Sequence, residues 1–172
     1  MKQYIITALV TNKSGVLTRV SGLFSRRGYN INSLSVCATE DPAYSRMTIV
    51  AEANESTIKQ ITRQLDKLID VKKVSLLAPD KAVCRELLIL KLTMPPAARP
   101  EIESTCNIYK AKMIDLSPAS LIVELTGEPN KIDAFINVVS HYGIIELVRT
   151  GLTALSRGEE NINELQDYND LF

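Results

Sequence analysis

The sequence predicts an α+β protein built from two ferredoxin-like βαββαβ domains in tandem. Two observations favour this fold class. Over residues 1–78, four strand-like and two amphipathic segments follow one another in the order β-α-β-β-α-β, which is typical of two helices packed on one face of an antiparallel sheet. After a short linker at 79–84 that contains Pro79, the same order recurs over 85–158, although the two halves share no apparent sequence identity.

The composition is typical of a globular protein and argues against several partners. Of the 172 residues, 45% are hydrophobic and 23% are charged, and the 20 basic and 20 acidic side chains give a formal net charge of zero. A protein without an excess of basic side chains is poorly suited to bind nucleic acid. The longest apolar run, residues 87–90, is too short to cross a bilayer, and residues 1–4 lead directly into a strand rather than a signal peptide. We therefore expect a cytoplasmic protein that binds no nucleic acid and no membrane.

The first domain is assigned by the alternation and the helical spacing of its apolar residues. Strands are predicted at residues 4–10, 31–39, 46–53 and 71–78. The first helix carries its apolar stripe at Val16, Leu17, Val20, Leu23 and Phe24. Ser14 is the predicted N-cap of this helix, and Gly28 stands where a helix C-terminal glycine is common. The second helix is capped by Asn54 or Ser56 and carries Ile58, Ile61, Leu65 and Leu68.

The second domain repeats this pattern with different turns. Its strands are predicted at residues 87–94, 110–116, 120–126 and 144–150. Its first helix has Pro100 in its first turn and carries the apolar residues Ile102, Cys106 and Ile108. Its second helix begins at Pro129 and ends before Gly143. Residues 159–172 carry only acidic charges, which predicts a flexible, solvated tail; docking of its apolar end, residues 171–172, on a partner is the alternative.

A search for catalytic and metal-binding motifs finds none. The glycines lack the spacing of dinucleotide-binding and phosphate-binding loops, and no serine stands in a GxSxG motif. His141, the single histidine, is expected to cap a helix end or to lie at the surface. The cysteines form no CxxC pair and are expected to be buried, reduced thiols rather than zinc ligands: Cys37, Cys84 and Cys106. We therefore predict a chain with no catalytic residues and no metal site of its own.

The best candidate for a ligand site is the turn of residues 12–15 before the first helix. The helix N-terminus presents free backbone N–H groups, which favour an anion such as the carboxylate of a small molecule. Asn12, Ser14 and Gly15 can equally be interpreted as an ordinary β-to-α turn. Asn30 favours the ligand site, because it follows the first helix and is expected to share one rim of the sheet with Asn12.

Together these residues are predicted to bind an amino acid. The helix N-terminus and the amides of Asn12 and Asn30 would hold its carboxylate and ammonium groups, and the apolar walls would come from Val16, Leu17 and Ile31. Charge-assisted hydrogen bonds contribute about 1.5–3 kcal/mol each, and a free amino acid has few atoms. We therefore expect an affinity between about 1 μM and 1 mM.

The same stretch carries a resemblance to a known family. Asn-Lys-Ser-Gly-Val-Leu-Thr-Arg-Val at 12–20 and Leu-Phe-Ser-Arg-Arg-Gly-Tyr-Asn-Ile at 23–31 resemble the ACT domain of the acetolactate synthase (acetohydroxyacid synthase) small subunit. Residues 41–49, 64–71 and 155–158 are similar to later parts of the same family. The resemblance covers residues 2–158 in order, although the second half is similar mainly in pattern.

The resemblance implies a regulatory subunit without an active site or cofactor of its own. Its partner would be the catalytic large subunit, which in the family holds thiamine diphosphate, FAD and magnesium. The small subunit of the family activates that enzyme and confers feedback inhibition, usually by valine, in branched-chain amino-acid biosynthesis. The effector site of the family lies where two ACT domains pair side by side, so the resemblance implies a homodimer through residues 1–78. The residues that it assigns to the site are Asn12, Ser14, Gly15, Val16, Leu17, Asn30 and Ile31.

Some alternatives remain open at this level. An amino-acid-sensing ACT-type regulator could act on transcription or on another metabolic partner, but the neutral charge and the lack of a helix-turn-helix segment disfavour this class. A small enzyme of ferredoxin-like fold is disfavoured by the single histidine. The hairpin at 40–45 and the face that bears Arg19 and Arg26 are candidate contacts for a large subunit, or simply a solvated loop and face.

Overall fold

A computed structural model describes residues 2–159 and 161–165 of the chain, and these residues divide into two compact units. The first unit contains residues 2–83 together with those described from 152 onward, and the second contains Cys84–Gly151. None of the helices within the described residues is both long and apolar enough to span a membrane.

The first unit has the predicted βαββαβ order. Its elements are β1 (Lys2–Thr11), α1 (Val16–Arg26), β2 (Ser33–Ala38), β3 (Tyr44–Ala53), α2 (Glu55–Asp66) and β4 (Val71–Leu77). The strands form an antiparallel sheet in the order β2-β3-β1-β4, which confirms the ferredoxin-like prediction. Alternate residues of β1, namely Ile6, Ala8 and Val10, point into a core against the buried stripes of α1 and α2.

The second unit repeats the same topology. A short 3-10 turn, Pro79–Lys81, precedes β5 (Ala82–Thr93), which is followed by α3 (Arg99–Tyr109), β6 (Lys112–Leu116), β7 (Ser120–Gly127), α4 (Pro129–Val139) and β8 (Ile144–Arg149). The strand order is β6-β7-β5-β8, equivalent to that of the first sheet. Its core is built mainly from the alternate residues of β5 and β7 and from Ile102, Phe135 and Val139 of the helices.

The part of the second face of the first sheet that β1 forms is also buried. Ile5, Thr7 and Leu9, which alternate with the core residues of β1, are at most 7% exposed. A further strand within the described residues, β9 (Thr153–Ser156), which the sequence pattern does not predict, contacts β4 of this sheet. The chain that follows it turns at 161–165 and buries Ile162. This C-terminal segment therefore belongs to the first unit.

The structure differs here from the predicted domain bounds, which place residues 85–158 together and a flexible tail after them. Two hydroxyls of β2 hold the segment by its backbone: Ser33 Oγ accepts from the Leu152 N–H at 2.8 Å, and Ser35 Oγ donates to the Leu152 carbonyl at 2.7 Å. The described tail residues 161–165 form a turn rather than a solvated coil, and the rest of the predicted tail, residues 160 and 166–172, lies outside the described residues.

Two predictions about single side chains are also wrong. Cys106 is buried, and burial raises the pKa of its thiol, but Cys37 is exposed because β2 is an edge strand. Ile108, placed on the buried stripe of α3, is 75% exposed. Cys106 and Ile102 form the real stripe, at the spacing of four that helical geometry requires.

Candidate effector site

The turn before α1 is closed by glycine geometry rather than by a side-chain cap. Gly15 is the N-cap residue at φ 83° and ψ −10°, and no side chain of the described residues caps it, so the prediction that Ser14 is the N-cap is wrong. A Cβ at Gly15 would meet no described atom within 4 Å. Glycine is therefore required by its backbone conformation, which strains any residue with a Cβ.

The N-terminus of α1 is left without an acceptor from its own helix. Its first turn carries no acidic residue, and helical geometry leaves the N–H groups of Leu17 and Thr18 without an intrahelical partner. In α2, by contrast, Asn54 Oδ1 accepts from the Thr57 N–H at 2.8 Å and Glu55 lies in the first turn. The end of α1 is thus suited to an external anion, and the end of α2 is not.

Asn12 joins the turn to the hairpin between β2 and β3. Its backbone N–H donates to the Ala43 carbonyl at 2.8 Å, and its side-chain Nδ2 donates to the Pro42 carbonyl at 3.0 Å. The side-chain donor is therefore engaged within the chain. The side-chain carbonyl oxygen is the group through which Asn12 can contact the ammonium of a ligand.

An ion pair that sequence reasoning missed fixes the other side of the turn. Asp70, which is 14% exposed at its side chain, pairs with Arg19 Nη1 and accepts from Thr11 Oγ1 at 3.2 Å. The Asp70 carbonyl also accepts from the Thr11 N–H at 2.8 Å. The pair ties α1 to the start of β4. Arg19, for which the sequence leaves open a partner contact or a solvated face, is therefore held by an internal carboxylate. No local pattern reveals a partner 51 positions away.

The three apolar residues predicted to line the site differ in how far they are exposed. Val16 is 2% exposed and packs in the core of the first unit, so it supports the turn from below. Leu17 is 46% exposed beside the helix N-terminus, although the sequence places it on the buried stripe. Ile31 is half-buried against the same core. Of these three apolar side chains, Leu17 is therefore the one that is exposed at the turn.

The C-terminus of α1 determines where Asn30 lies. Gly28 has φ 67° and its N–H donates to the Ser25 carbonyl at 3.1 Å, while the Tyr29 N–H donates to the Phe24 carbonyl at 3.0 Å. These two bonds form a Schellman motif, which confirms Gly28 as the end of the helix. The Phe24 and Tyr29 rings meet edge to face, with centroids 6.4 Å apart. The exposed Asn30 follows directly.

Asn30 does not share a rim with Asn12 within one chain, so that expectation is wrong. The Asn32 N–H donates to the Val50 carbonyl at 2.8 Å, which places this segment beside Val50 of β3. Asn12, in contrast, follows Thr11, which pairs with Tyr44. Six residues of strand at about 3.3 Å each separate the two positions by roughly 20 Å. The reason is that α1 returns the chain to the end of the sheet at which β1 starts.

The described residues bring no three potential metal ligands together. His141 lies in the short 3-10 turn Ser140–Tyr142, and its ring centroid is 3.8 Å from that of Tyr142. It thus lies at the end of α4, where the sequence places it.

In comparisons with known proteins, each of the two units matches a family model of its own. A family model described as an acetohydroxyacid synthase (AHAS) small subunit-like ACT domain matches residues 6–73, and one described as the small subunit of acetolactate synthase matches residues 85–158. A probable acetolactate synthase small subunit of Methanothermobacter thermautotrophicus is 48% identical over 160 residues, which cover 92% of this chain and 95% of the relative. The acetolactate synthase small subunit of Mycolicibacterium smegmatis is 45% identical over 159 residues, covering 92% and 94%.

A solved structure agrees with these relatives over nearly the whole chain. The crystal structure of the acetolactate synthase small subunit from Thermotoga maritima superposes with a TM-score of 0.87 at 36% identity, covering 93% of this chain and 100% of that one. Sequence similarity of this extent and agreement of the fold over both units lead to one conclusion: the chain belongs to the acetolactate synthase small-subunit family, a family of regulatory subunits with an ACT domain.

Proposed function

We propose that this chain activates the catalytic large subunit of acetolactate synthase and confers feedback inhibition by valine on it. The observation that carries the proposal is the N-terminus of α1, where a glycine turn leaves N–H groups beside the exposed Leu17 and no acidic side chain in the first turn. The catalytic chemistry and its thiamine diphosphate, FAD and magnesium belong to the large subunit. This chain supplies the sensor.

In the proposed complex each part of valine has a defined contact. The carboxylate accepts from the free N–H groups of Leu17 and Thr18, where the helix dipole contributes about 0.3–1 kcal/mol. The ammonium lies against the side-chain carbonyl of Asn12, whose orientation is held by its bond to the Pro42 carbonyl. The isopropyl group packs on Leu17. Ser14 contributes turn geometry, and Val16 supports the turn from the core.

The remaining two predicted residues, Asn30 and Ile31, come from a second copy of the chain. β2 is an edge strand whose outer side is unpaired by the described residues, and Val36, Cys37 and Ala38 on it are exposed. Antiparallel pairing of β2 with β2 of a second copy sets the Ser33 end of one strand beside the Ala38 end of the other. Because Ala38 lies opposite Ser45, near the Asn12 end of the sheet, this pairing brings the second copy's Asn30 towards Asn12.

The proposal is tested by Gly15→Asp, assayed in the complex with a large subunit. A carboxylate at this turn repels the valine carboxylate, so the variant should still stimulate the large subunit but lose valine inhibition. Gly15→Ala is the matched control, because it also places a Cβ at φ 83°, at a strain cost of roughly 1–3 kcal/mol, but carries no charge. Valine inhibition that survives in Gly15→Asp, or a large subunit that the unmodified chain does not stimulate, would contradict the proposal.

The two-copy site has a separate test by complementation. Asn12→Ala and Asn30→Ala should each abolish tight valine binding as pure proteins. A heterodimer of the two variants has one site with both asparagines intact and one site with neither. Since about half of the dimers in an equal mixture are heterodimers, calorimetry should recover about a quarter of the valine sites of the unmodified protein. A mixture that binds valine no better than either pure variant would show that both asparagines of a site come from one chain, and would refute pairing through β2.

A further inference from the structure

The first unit contains a cleft on the face of the sheet opposite to α1 and α2. It has a volume of about 580 Å³, which is within the range of small-molecule sites. Its floor is formed by Leu9 of β1 and by Tyr44, Arg46 and Thr48 of β3, which alternate with the core residues of that strand. The opposite wall comes from the C-terminal segment, with Leu155, Asn161, Ile162 and Asn163.

Arg46 lies on the floor of the cleft and has no ion pair or side-chain hydrogen bond with the residues that the structure describes. It stands between Leu9 and Cys37 in the strand register and is half-buried. Burial lowers the pKa of its guanidinium, and the negative charge of Glu40 offsets this effect in part. Among the described residues no carboxylate forms an ion pair with Arg46, and its guanidinium makes no hydrogen bond. A cation that has lost water in this way is favourable only where an anion can compensate.

A second cation faces the same space. Lys72 is the residue at the irregularity in the pairing of β1 with β4, between Val71, which is opposite Val10, and Lys73, which is opposite Leu9. Its Nζ lies 4.4 Å from the centroid of the Tyr44 ring. Within the described part of the chain it has no carboxylate partner either. Arg46, Lys72 and Tyr44 therefore all line the cleft.

The acidic groups of the cleft lie at its rim. Glu40 and Asp41 are exposed in the hairpin between β2 and β3. Asp41 Oδ1 accepts from the Ala43 N–H at 2.9 Å, so this carboxylate is used to close its own turn. The interior is completed by neutral hydrogen-bonding groups, including the amides of Asn161 and Asn163 and the hydroxyl of Thr48. Of the four charged side chains that line the cleft, Arg46 is the one that is half-buried, and the size of the cleft suits a metabolite rather than a bare ion.

We infer that this cleft binds a small organic anion with a carboxylate or phosphate group, which pairs with Arg46 and Lys72. The guanidinium fork offers two parallel N–H donors to two oxygens of such a group, and Lys72 supplies a point charge beside it. The aromatic face of Tyr44 and the side chains of Leu155 and Ile162 contact the carbon skeleton. The site differs from the effector site at α1 in its residues, in the face of the sheet and in its ligand, which needs no ammonium group.

The inference is tested by calorimetry on the full chain at low ionic strength, with citrate as the carboxylate probe and inorganic pyrophosphate as the phosphate probe. We expect at least one probe to bind with one site per chain. Arg46→Gln should weaken that binding at least tenfold, as loss of a charge-assisted contact implies. Arg46→Lys should recover part of the affinity by keeping the charge without the fork. The probe that binds identifies the anionic group.

Arg63→Gln is the matched control, since it removes the same charge from an exposed position in the last turn of α2, on the other face of the sheet. If neither probe binds, the inference is wrong. It is also wrong if Arg46→Gln and Arg63→Gln weaken binding equally, because the loss of affinity then reflects the general surface charge of the chain. The melting temperature of Arg46→Gln should not fall, because it removes an unpaired charge. The outcome is independent of valine inhibition, which depends on Gly15.

Discussion

The two units of the protein have the same strand order but open their first helix in different ways. In the first unit a glycine turn leads into α1, whose first turn has no acidic side chain. In the second, β5 is followed by a 3-10 turn, Pro96–Ala98, and α3 carries Pro100 and Glu101 in its first turn. Proline removes an N–H donor and glutamate adds a negative charge, so the N-terminus of α3 disfavours an external anion. A duplicated topology therefore need not duplicate a binding site.

The units also differ in how they hold their charged groups. In the second unit Glu86 is 7% exposed and receives two hydrogen bonds from Arg149, at 2.9 Å from Nε and 2.5 Å from Nη2, and Nη1 donates to Asp133 at 2.6 Å. The bonds to Glu86 and Asp133 raise the pKa of Arg149 despite its partial burial. Arg149 is thus paired within the second unit, as Arg19 is within the first, whereas Arg46 and Lys72 form no ion pair among the described residues.

The largest expected effect comes from breaking the Glu86 pair. Arg149→Ala leaves a buried carboxylate without its partner and should destabilise the second unit by about 3–5 kcal/mol, measured by chemical denaturation. Lys112→Ala is the control, because its partner Glu124 is 3.8 Å away and the lysine side chain is 78% exposed; the expected loss is at most about 1 kcal/mol. Valine binding by the first unit should persist in Arg149→Ala under native conditions. Equal losses in the two variants would show that the Glu86 pair is no stronger than a surface pair.

The second effect tests the difference between α1 and α3 directly. Thr18→Glu puts a carboxylate into the first turn of α1, as Glu101 does in α3. It should stabilise the chain by about 0.3–1 kcal/mol through the helix dipole and yet weaken valine binding by roughly tenfold, equivalent to about 1.4 kcal/mol. Thr18→Gln is the neutral control and should change neither quantity much. If Thr18→Glu binds valine normally, the carboxylate of the ligand does not lie at this helix end.

The smallest effect separates a true cap from a predicted one. Asn54→Ala removes the 2.8 Å bond to the Thr57 N–H and should cost about 1 kcal/mol in thermal unfolding. Ser14→Ala should cost less than about 0.5 kcal/mol, because Gly15 and not Ser14 closes the turn of α1. A loss at Ser14 as large as that at Asn54 would indicate that the hydroxyl caps α1 in solution.

Local patterns predicted the features that depend on neighbouring residues. Gly28 ends α1 because the helix is stopped by a Schellman motif within six residues, and Asn54 caps α2 through a residue three positions away. Features that depend on distant pairs were missed. The clamp of Ser33 and Ser35 on Leu152 spans more than 100 positions, and neither serine stands out in a strand of alternating residues.

By itself the sequence determined the order of strands and helices, the fold class and the turn of residues 12–15 as the candidate site, because periodicity and turn chemistry are local. Only the tertiary structure decided which residues meet there. It separated Asn30 from Asn12 by six residues of β3, showed that Gly15 rather than Ser14 is the N-cap of α1, and added the C-terminal segment to the first unit. The physical reason is that strand register and the hydrogen bonds of Ser33 and Ser35 to Leu152 depend on residues far apart in the chain. Such contacts produce no periodic pattern in the sequence.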